Sequence, residues 1–485
     1  MRLLKKLLLA AVVSAVTLFL SSSLVRGQDP QPPEDVSKPK PAARGVPPVA
    51  YPDQDPSGDQ DSTPPLQPDS RPLTGVQNPT LGSPEIGHSY FVPGVQFFDT
   101  ARSISLNQAT GSDWSSTTYV AANLTLYRVT SHSELSADYS GGGYFSMDSA
   151  QGNGYFHEVG LTQGFKWRRW QLSLIDEFSY LPESSFGFGL GTGISVPGIS
   201  GGLAPSLPGL QTSYQPNQSI LTSIGTRYSN SFTTEVVYAI SPRSSINAAG
   251  SYAILRFLDP GNIDSDTDIL NVGYNYQISR QDAIGVLYRF SEYHFLGTPQ
   301  GLSDHAIHLA YGHKITGRLA LQFFGGPEIA VFREPVDNKT QRISPSGGVT
   351  LSYAMPRGAV LLTYDHGVSN GGGVLIGANT DQVRLELDRQ ISRHWQGSIS
   401  FGLAQNKGLG NFLNVNQSGQ DYDSYIAGGA LSRHFGRDAN LSLAYSARIQ
   451  TSTQNVCAAG TCSTSYAQHQ VTFGLSWHTR PLVLR

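Results

Sequence analysis

Residues able to do chemistry are few in this chain and widely spaced. Two cysteines, Cys457 and Cys462, stand four residues apart among Ala, Gly, Thr, Ser, Gln and Asn. In an oxidising compartment such a pair can close a small disulfide loop. The alternative is a metal site, but two ligands without a neighbouring His or Cys make a poor zinc centre. No metal and no cofactor are expected. No HExxH is present, and the run Gly187-Phe188-Gly189-Leu190-Gly191-Thr192-Gly193 lacks the GxGxxG spacing of a phosphate cradle. His308 and His313 fall on opposite faces of one extended segment, as do Asp365 and His366, so neither pair converges on a ligand. Nine charges remain: Asp138, Glu235, Arg289, Lys314, Glu328, Arg384, Glu386, Asp388 and Arg448. Each sits in an alternating segment, on the face opposite the apolar one.

That alternation defines the elements holding them. Ile284, Val286, Tyr288 and Phe290 take turns with Gly285, Leu287, Arg289 and Ser291. Val383, Leu385 and Leu387 take turns with Arg384, Glu386 and Asp388, and Val471, Phe473, Leu475 and Trp477 with Thr472, Gly474 and Ser476. A period of two means strand, because successive side chains point to opposite faces. Short polar turns punctuate the pattern at Thr130 to Ser133, Trp167 to Arg169, Ser241 to Ser244, Ser279 to Asp282, Thr316 to Arg318, Pro356 to Gly358, Ser392 to His394 and Gly436 to Asp438. The connections between them are long and polar, as at Asp259 to Asp266, Asn370 to Thr380 and Asn406 to Asp423. Eight short turns and about nine long loops give about 18 strands, with 16 the alternative count. The first strand is expected near Phe91 to Thr100, with Pro93 at its start or at a bulge. The longest connection, Pro182 to Ser219, carries Phe186, Phe188, Leu190, Ile194 and Val196 among its Gly, Pro and Ser. So much apolar content in a loop favours folding inward as a constriction; the alternatives are packing over a neighbouring protomer or the barrel mouth, and an external flap with no role in permeation.

Bulk composition agrees. Charged residues make up only 14% of the 485, Gly numbers 52, Tyr 23 and Phe 21. Mean hydropathy is nevertheless −0.22. Alternating strands produce that combination; helical membrane spans need runs of about 20 apolar residues. The one long apolar run, Leu7 to Leu20, follows Arg2, Lys5 and Lys6, and residues 1–27 read as a cleaved signal peptide. Residues 28–84 are rich in Pro and polar residues and read as a disordered periplasmic leader. A net charge of −3 and the lack of a basic block argue against nucleic-acid binding.

Residues 85–485 therefore read as all-β: a transmembrane antiparallel up-and-down β-barrel. Its strands are long, and aromatics such as Tyr274, Tyr276, Phe295, Phe332, Phe435 and Trp477 lie toward strand ends, as interfacial girdles would. In leader, hairpin repeat and loop asymmetry, this region resembles bacterial outer-membrane β-barrel proteins of the large, porin-like type. The resemblance implies an outer-membrane location, lipid around the barrel and a homo-oligomer, a trimer by analogy. An apolar lipid face penalises Arg or Lys at mid-depth by about 2–4 kcal/mol, so the nine charges are expected inward as pore-lining candidates. Solvation or cross-strand pairing is the alternative role for them. A barrel of 16–18 strands leaves an aqueous channel. The function expected is diffusion of small polar solutes or ions; the alternatives are an adhesive barrel acting through its loops and a hydrolase whose Ser, His and acid meet across strands. Barrels of that class often end on an aromatic residue, whereas Pro481 to Arg485 follow the last strand here.

No residue between Asp29 and Pro79 belongs to a periodic apolar pattern. Deleting that stretch is expected to leave the barrel folded, read as unchanged heat-resistant migration on a gel; loss of that migration makes the leader part of the fold.

Overall fold

The computed structural model describes residues 89–106, 114–147, 152–181, 226–258, 263–336, 338–355, 357–371, 375–409, 421–436, 438–452, 466–480 and 482–484. The signal peptide, the leader, the Pro182 to Ser219 connection and both cysteines lie outside them. The strands are β1 (Ser89–Leu106), β2 (Trp114–Val129), β3 (Ser133–Ser146), β4 (Gly154–Lys166), β5 (Trp170–Leu181), β6 (Arg227–Ser241), β7 (Ser244–Phe257), β8 (Ser265–Gln277) and β9 (Asp282–Phe295). There follow β10 (Gly301–Lys314), β11 (Leu319–Val336), β12 (Lys339–Met355), β13 (Gly358–Ser369), β14 (Ala378–Gln390), β15 (Trp395–Gly408), β16 (Asp421–Phe435), β17 (Ala439–Ser452), β18 (Tyr466–His478) and the short β19 (Leu482–Leu484).

Each strand pairs antiparallel with the next in sequence, and β1 closes on β18. The result is an up-and-down barrel of eighteen long strands. Closure leaves no edge, so every strand has a neighbour on both sides. All eight short turns occur where the sequence places them, at one end of the barrel. One connection at the opposite, long-loop end is itself short. Val336 pairs with Lys339, because β11 and β12 run on for 18 and 17 residues before turning at Asn338, whose φ is 61°. Asn tolerates that left-handed conformation better than most residues.

The seam explains both Pro93 and the chain's last residues. Gly94 pairs with His478 and Phe91 with Leu482, so two residues of β1 face three of the other strand. Pro93 sits in this bulge and needs no N–H there; its carbonyl accepts from the Thr479 N–H at 2.9 Å. Leu482 to Leu484, beyond the bulge, continue the pairing as β19.

Alternation sorts the side chains by face. The outer surface carries exposed Val95, Phe97, Val120, Leu270, Val286, Ile307, Leu309 and Phe323. A surface this apolar belongs in hydrocarbon, so the barrel is membrane-spanning. Inside, Phe98, Tyr119, Tyr144 and Phe156 from β1 to β4 form one buried cluster. Tyr274, Tyr276, Phe435 and Trp477 face out near strand ends, as girdle residues would. Phe295 and Phe332 do not. Both point inward and are buried.

Leu309 is 68% exposed in the middle of β10, whereas Leu482 lies at the short-turn end. Arg at position 309 is expected to destabilise the barrel in phospholipid vesicles by about 2–4 kcal/mol, and Arg at position 482 by about 0–1 kcal/mol. Equal costs in chemical unfolding would show that depth in a membrane does not set them.

Candidate functional site

The register places all nine predicted charges on inward positions. Thr125 and Asp138 are partners, as are Ala306 with Arg289 and with Glu328, and Arg384 with Thr363; each pair shares the face of the buried interior residues. Glu235, Glu328, Arg384 and Arg448 are buried, whereas Asp138, Glu386 and Asp388 are half-buried. His308 faces in and His313 out, and Asp365 and His366 divide in the same way.

Two of these charges, Arg289 and Glu328, meet with a third, Asp304, that is absent from the prediction. Arg289 on β9 reaches Glu328 on β11 at 2.6 Å and Asp304 on β10 at 3.1 Å. Both carboxylates are fully buried, which a charge tolerates only when paired. Asp304 was as legible as Arg289, since it alternates with Ser303 and His305 in the same strand. Beside the triad, His308 Nε2 lies 2.7 Å from Ser346 Oγ.

The triad also grips a piece of chain that has left the wall. Pairing between β12 and β13 stops at Gly347 with His366. The β13–β14 ladder continues to Ser369 with Ala378, and the β11–β12 ladder to Val336 with Lys339. Two hairpins that part company this way must diverge, and the β13–β14 tip turns inward. Val368 would face out by strict alternation, yet it packs against Tyr293, Phe295, Leu302, Phe332 and Val336 from the inner wall of β9 to β11. Ile376 and Leu409 join the same cluster. Loss of the β12 ladder would orphan the Val368 N–H, a cost of about 1–3 kcal/mol when buried. Instead it donates to both Glu328 carboxylate oxygens, at 3.3 and 3.2 Å. Ser369 Oγ and Thr380 Oγ1 lie 2.7 Å apart at the base of the tip, and Thr380 also donates to Asn406 at 2.7 Å.

The sequence predicts a long polar loop over Asn370 to Thr380; in the structure its described residues from Leu375 to Ala378 are buried, and β14 already begins at Ala378. Leu375 and Ile376 are 1% and 3% exposed, Leu375 packing with Ala378 and Tyr422. Gly377 adopts φ 72°, and a Cβ there would sit 2.9 Å from Leu409 and 3.0 Å from Leu302. Leu302 belongs to β10, four strands from β14, so this contact spans the interior and not neighbouring strands. The signal in the sequence was the apolar triplet Val374-Leu375-Ile376 flanked by glycines. Phe295 and Phe332 face inward because this tip covers them.

One motif-like spacing lies at the end of β13. Gly367-Val368-Ser369-Asn370-Gly371 reads GxSxG, the pattern of a nucleophile elbow between strand and helix. Here it ends one strand of a hairpin. The Ser369 hydroxyl is engaged with Thr380, and His366 is turned to the other face, 2.7 Å from Asp381. The spacing assembles no Ser–His pair.

No family model matches this sequence, and no curated protein does. Among solved structures, the chain is similar to the outer membrane protein opdK from Pseudomonas aeruginosa at 10% identity, over 80% of this chain and 99% of that one, with TM-score 0.41. It is similar to Acinetobacter baumannii OccAB4 at 9% identity, over 82% and 100%, with TM-score 0.42. A third is Pseudomonas aeruginosa OccK2 (OpdF) in complex with glucuronate, at 9% identity, over 81% and 98%, with TM-score 0.40.

Glu328→Ala removes the acceptor of the Val368 N–H. A hydrogen bond to a charged group contributes about 1.5–3 kcal/mol, roughly tenfold to a hundredfold in an equilibrium. Hydrogen exchange at Val368, Leu375 and Ile376 is expected to speed up by that factor, with Leu385 unchanged. An unaltered rate at Val368 would detach the tip from the triad.

Proposed function

We propose that this chain is a bacterial outer-membrane channel for diffusion of small polar solutes or ions, narrowed at its long-loop end by the β13–β14 tip. One observation carries the reading: the outer surface is apolar while Asp138, Glu235, Arg289, Lys314, Glu328, Arg384, Glu386, Asp388 and Arg448 all project inward. Charges kept on that side of a membrane wall serve a wet path. Toward the short-turn end, Glu386 and Asp388 stay half-buried beside small neighbours such as Ser398, Ser400 and Gly428, which suits a vestibule. Arg289, Asp304 and Glu328 then set the narrowest charged level, because they anchor the segment that reduces the bore.

In this reading the short turns and the leader lie in the periplasm, and the long loops lie outside. Cys457 and Cys462 close a disulfide in the external loop between β17 and β18. Lipid surrounds the wall, and the channel is a homo-oligomer. No catalytic set has been found in the sequence, and the hydrolase alternative has no observation in its favour.

Planar-bilayer recordings test the function. The purified chain is expected to give stepwise conductance. Replacing Gly371 to Gly377 with a two-residue turn is expected to raise the single-channel value without unfolding the barrel. Shortening Gly187 to Gly209 tests the other predicted constriction in the same way. A folded barrel that passes no current would refute the channel and favour a role for the loops in binding a partner.

A further inference from the structure

Carboxylates that face the bore outnumber guanidiniums in its short-turn half. Counting each strand from that end, Asp388 is third, Glu386 fifth, Asp138 sixth, Glu235 seventh, and Glu177 and Asp365 eighth, all on inward positions. Between the third and eighth positions, the inward guanidinium or ammonium groups among the described residues are those of Arg289 and Arg384. Both are engaged: Arg289 by Asp304 and Glu328 at 3.1 and 2.6 Å, and Arg384 by Glu386 at 3.9 Å. Lys166 and Lys314 stand at the rim, first in their strands, and Lys166 is 3.1 Å from Glu134. Arg227 and Arg448 lie farther toward the long loops. Asp138 accepts from Thr125 at 2.9 Å and Ser136 at 3.1 Å. Bonds from neutral hydroxyls solvate a carboxylate and leave its charge in place.

We propose that the short-turn half of the bore is a cation filter, and that the solutes it admits best carry ammonium or guanidinium groups. The inference rests on the channel reading above and names its class of solute. The carboxylates form two faces. Asp138, Glu177 and Glu235 stand on β3, β5 and β6, and Asp365, Glu386 and Asp388 on β13 and β14. The faces are opposed: β5, which carries Glu177, and β14, which carries Glu386 and Asp388, are nine strands apart in a barrel of eighteen, half its circumference. A cation on the axis is drawn toward both walls, and an anion is repelled by both. On the first face, Asp138 and Glu177 share a rung with Gly160 between them, so no side chain stands between the two carboxylates there. The outer wall is apolar and of low dielectric, which focuses the field into the bore. Rings of Asp and Glu select cations in channels for this reason.

A neutral group on the wall between the faces points the same way. Asn271 is on the inward side of β8, seventh from the short-turn end, and is 1% exposed. Neither atom of its amide has a hydrogen-bond partner among the described residues. Arg289, beside it on the same rung, turns its Nη2 to Asp304 and Glu328 instead. A buried amide oxygen without a donor is costly. The N–H groups of an ammonium or guanidinium solute supply that donor, at the level where the opposed carboxylates hold its charge.

The test is the zero-current potential of the full chain in a planar bilayer of neutral phosphatidylcholine under a KCl gradient. K+ is expected to permeate better than Cl−. The preference is expected to be larger at about 0.1 M salt than at about 1 M, because the screening length falls from about 10 Å to about 3 Å. The quadruple variant Asp138→Asn, Glu177→Gln, Glu386→Gln, Asp388→Asn is expected to lose the preference, and either face neutralised alone to lose part of it. A control, Asp99→Asn with Glu292→Gln, removes two outward carboxylates and is expected to leave the ratio unchanged. With choline gluconate in place of KCl, choline is expected to carry most of the current. An unaltered channel that favours Cl−, or that discriminates neither ion, overturns the filter. So does a quadruple variant, folded by heat-resistant migration, that keeps the original ratio. A folded barrel without current is a distinct outcome: it fails the channel reading itself, and the filter falls with it.

Discussion

The whole structure depends on backbone hydrogen bonding in a medium with no water to substitute for it. Each N–H and C=O at membrane depth needs a partner within the protein. Thirteen consecutive residue pairs between β1 and β18, from Gly94 with His478 to Leu106 with Tyr466, meet that need by turning a sheet into a cylinder. The other features follow. Closure fixes an inside and an outside, and period-two alternation assigns each side chain to one of them. Where the ladder is interrupted, a substitute is present: Thr479 bonds Pro93 at the seam bulge, and Glu328 bonds Val368 where β13 leaves β12.

The second of these substitutions shows how a barrel can build an obstacle without a separate domain. The β13–β14 tip is an ordinary hairpin end that has lost one neighbour. Its lost ladder bond is replaced by a carboxylate, and its apolar residues are buried against aromatics that would otherwise have pointed into an empty bore. Polar anchoring and apolar packing act together on Val368, and Ile376 packs in the same cluster. The positive-φ glycine at 377 lets the chain return to the wall.

Much of this was legible in the sequence, and the limits have a physical cause. Alternation is local. It placed Arg289, Arg384, Glu386 and Asp388 on one face from neighbours within a few residues, and the eight turns fixed the count of eighteen. Pro93 at a bulge followed from its missing N–H. The tip was not legible, because its path is decided by contacts with strands far along the chain. Leu375 and Ile376 looked like stray apolar residues in a polar loop until Leu302 and Phe332 were beside them. For the same reason Phe295 and Phe332 resemble girdle residues in the sequence: their position near a strand end is visible there, but the tip that covers them is not. Asp304 carries the same alternation signal as Arg289, but the triad that unites them joins three strands and leaves no mark on any one of them.

The seam also sets the order of events in assembly. Away from the seam, every hydrogen-bonded ladder of the wall joins sequence neighbours and can form soon after its hairpin exists. The Thr100–Thr472 contact joins residues 372 positions apart. Loop-closure entropy for such a separation is set against the gain from only one strand pair. The last-made strand is therefore the one that completes the first, and until β18 arrives β1 keeps an open ladder able to template pairing with any passing chain. A cell producing this protein has to deliver the entire polypeptide, shielded along that edge, before a sealed wall can exist.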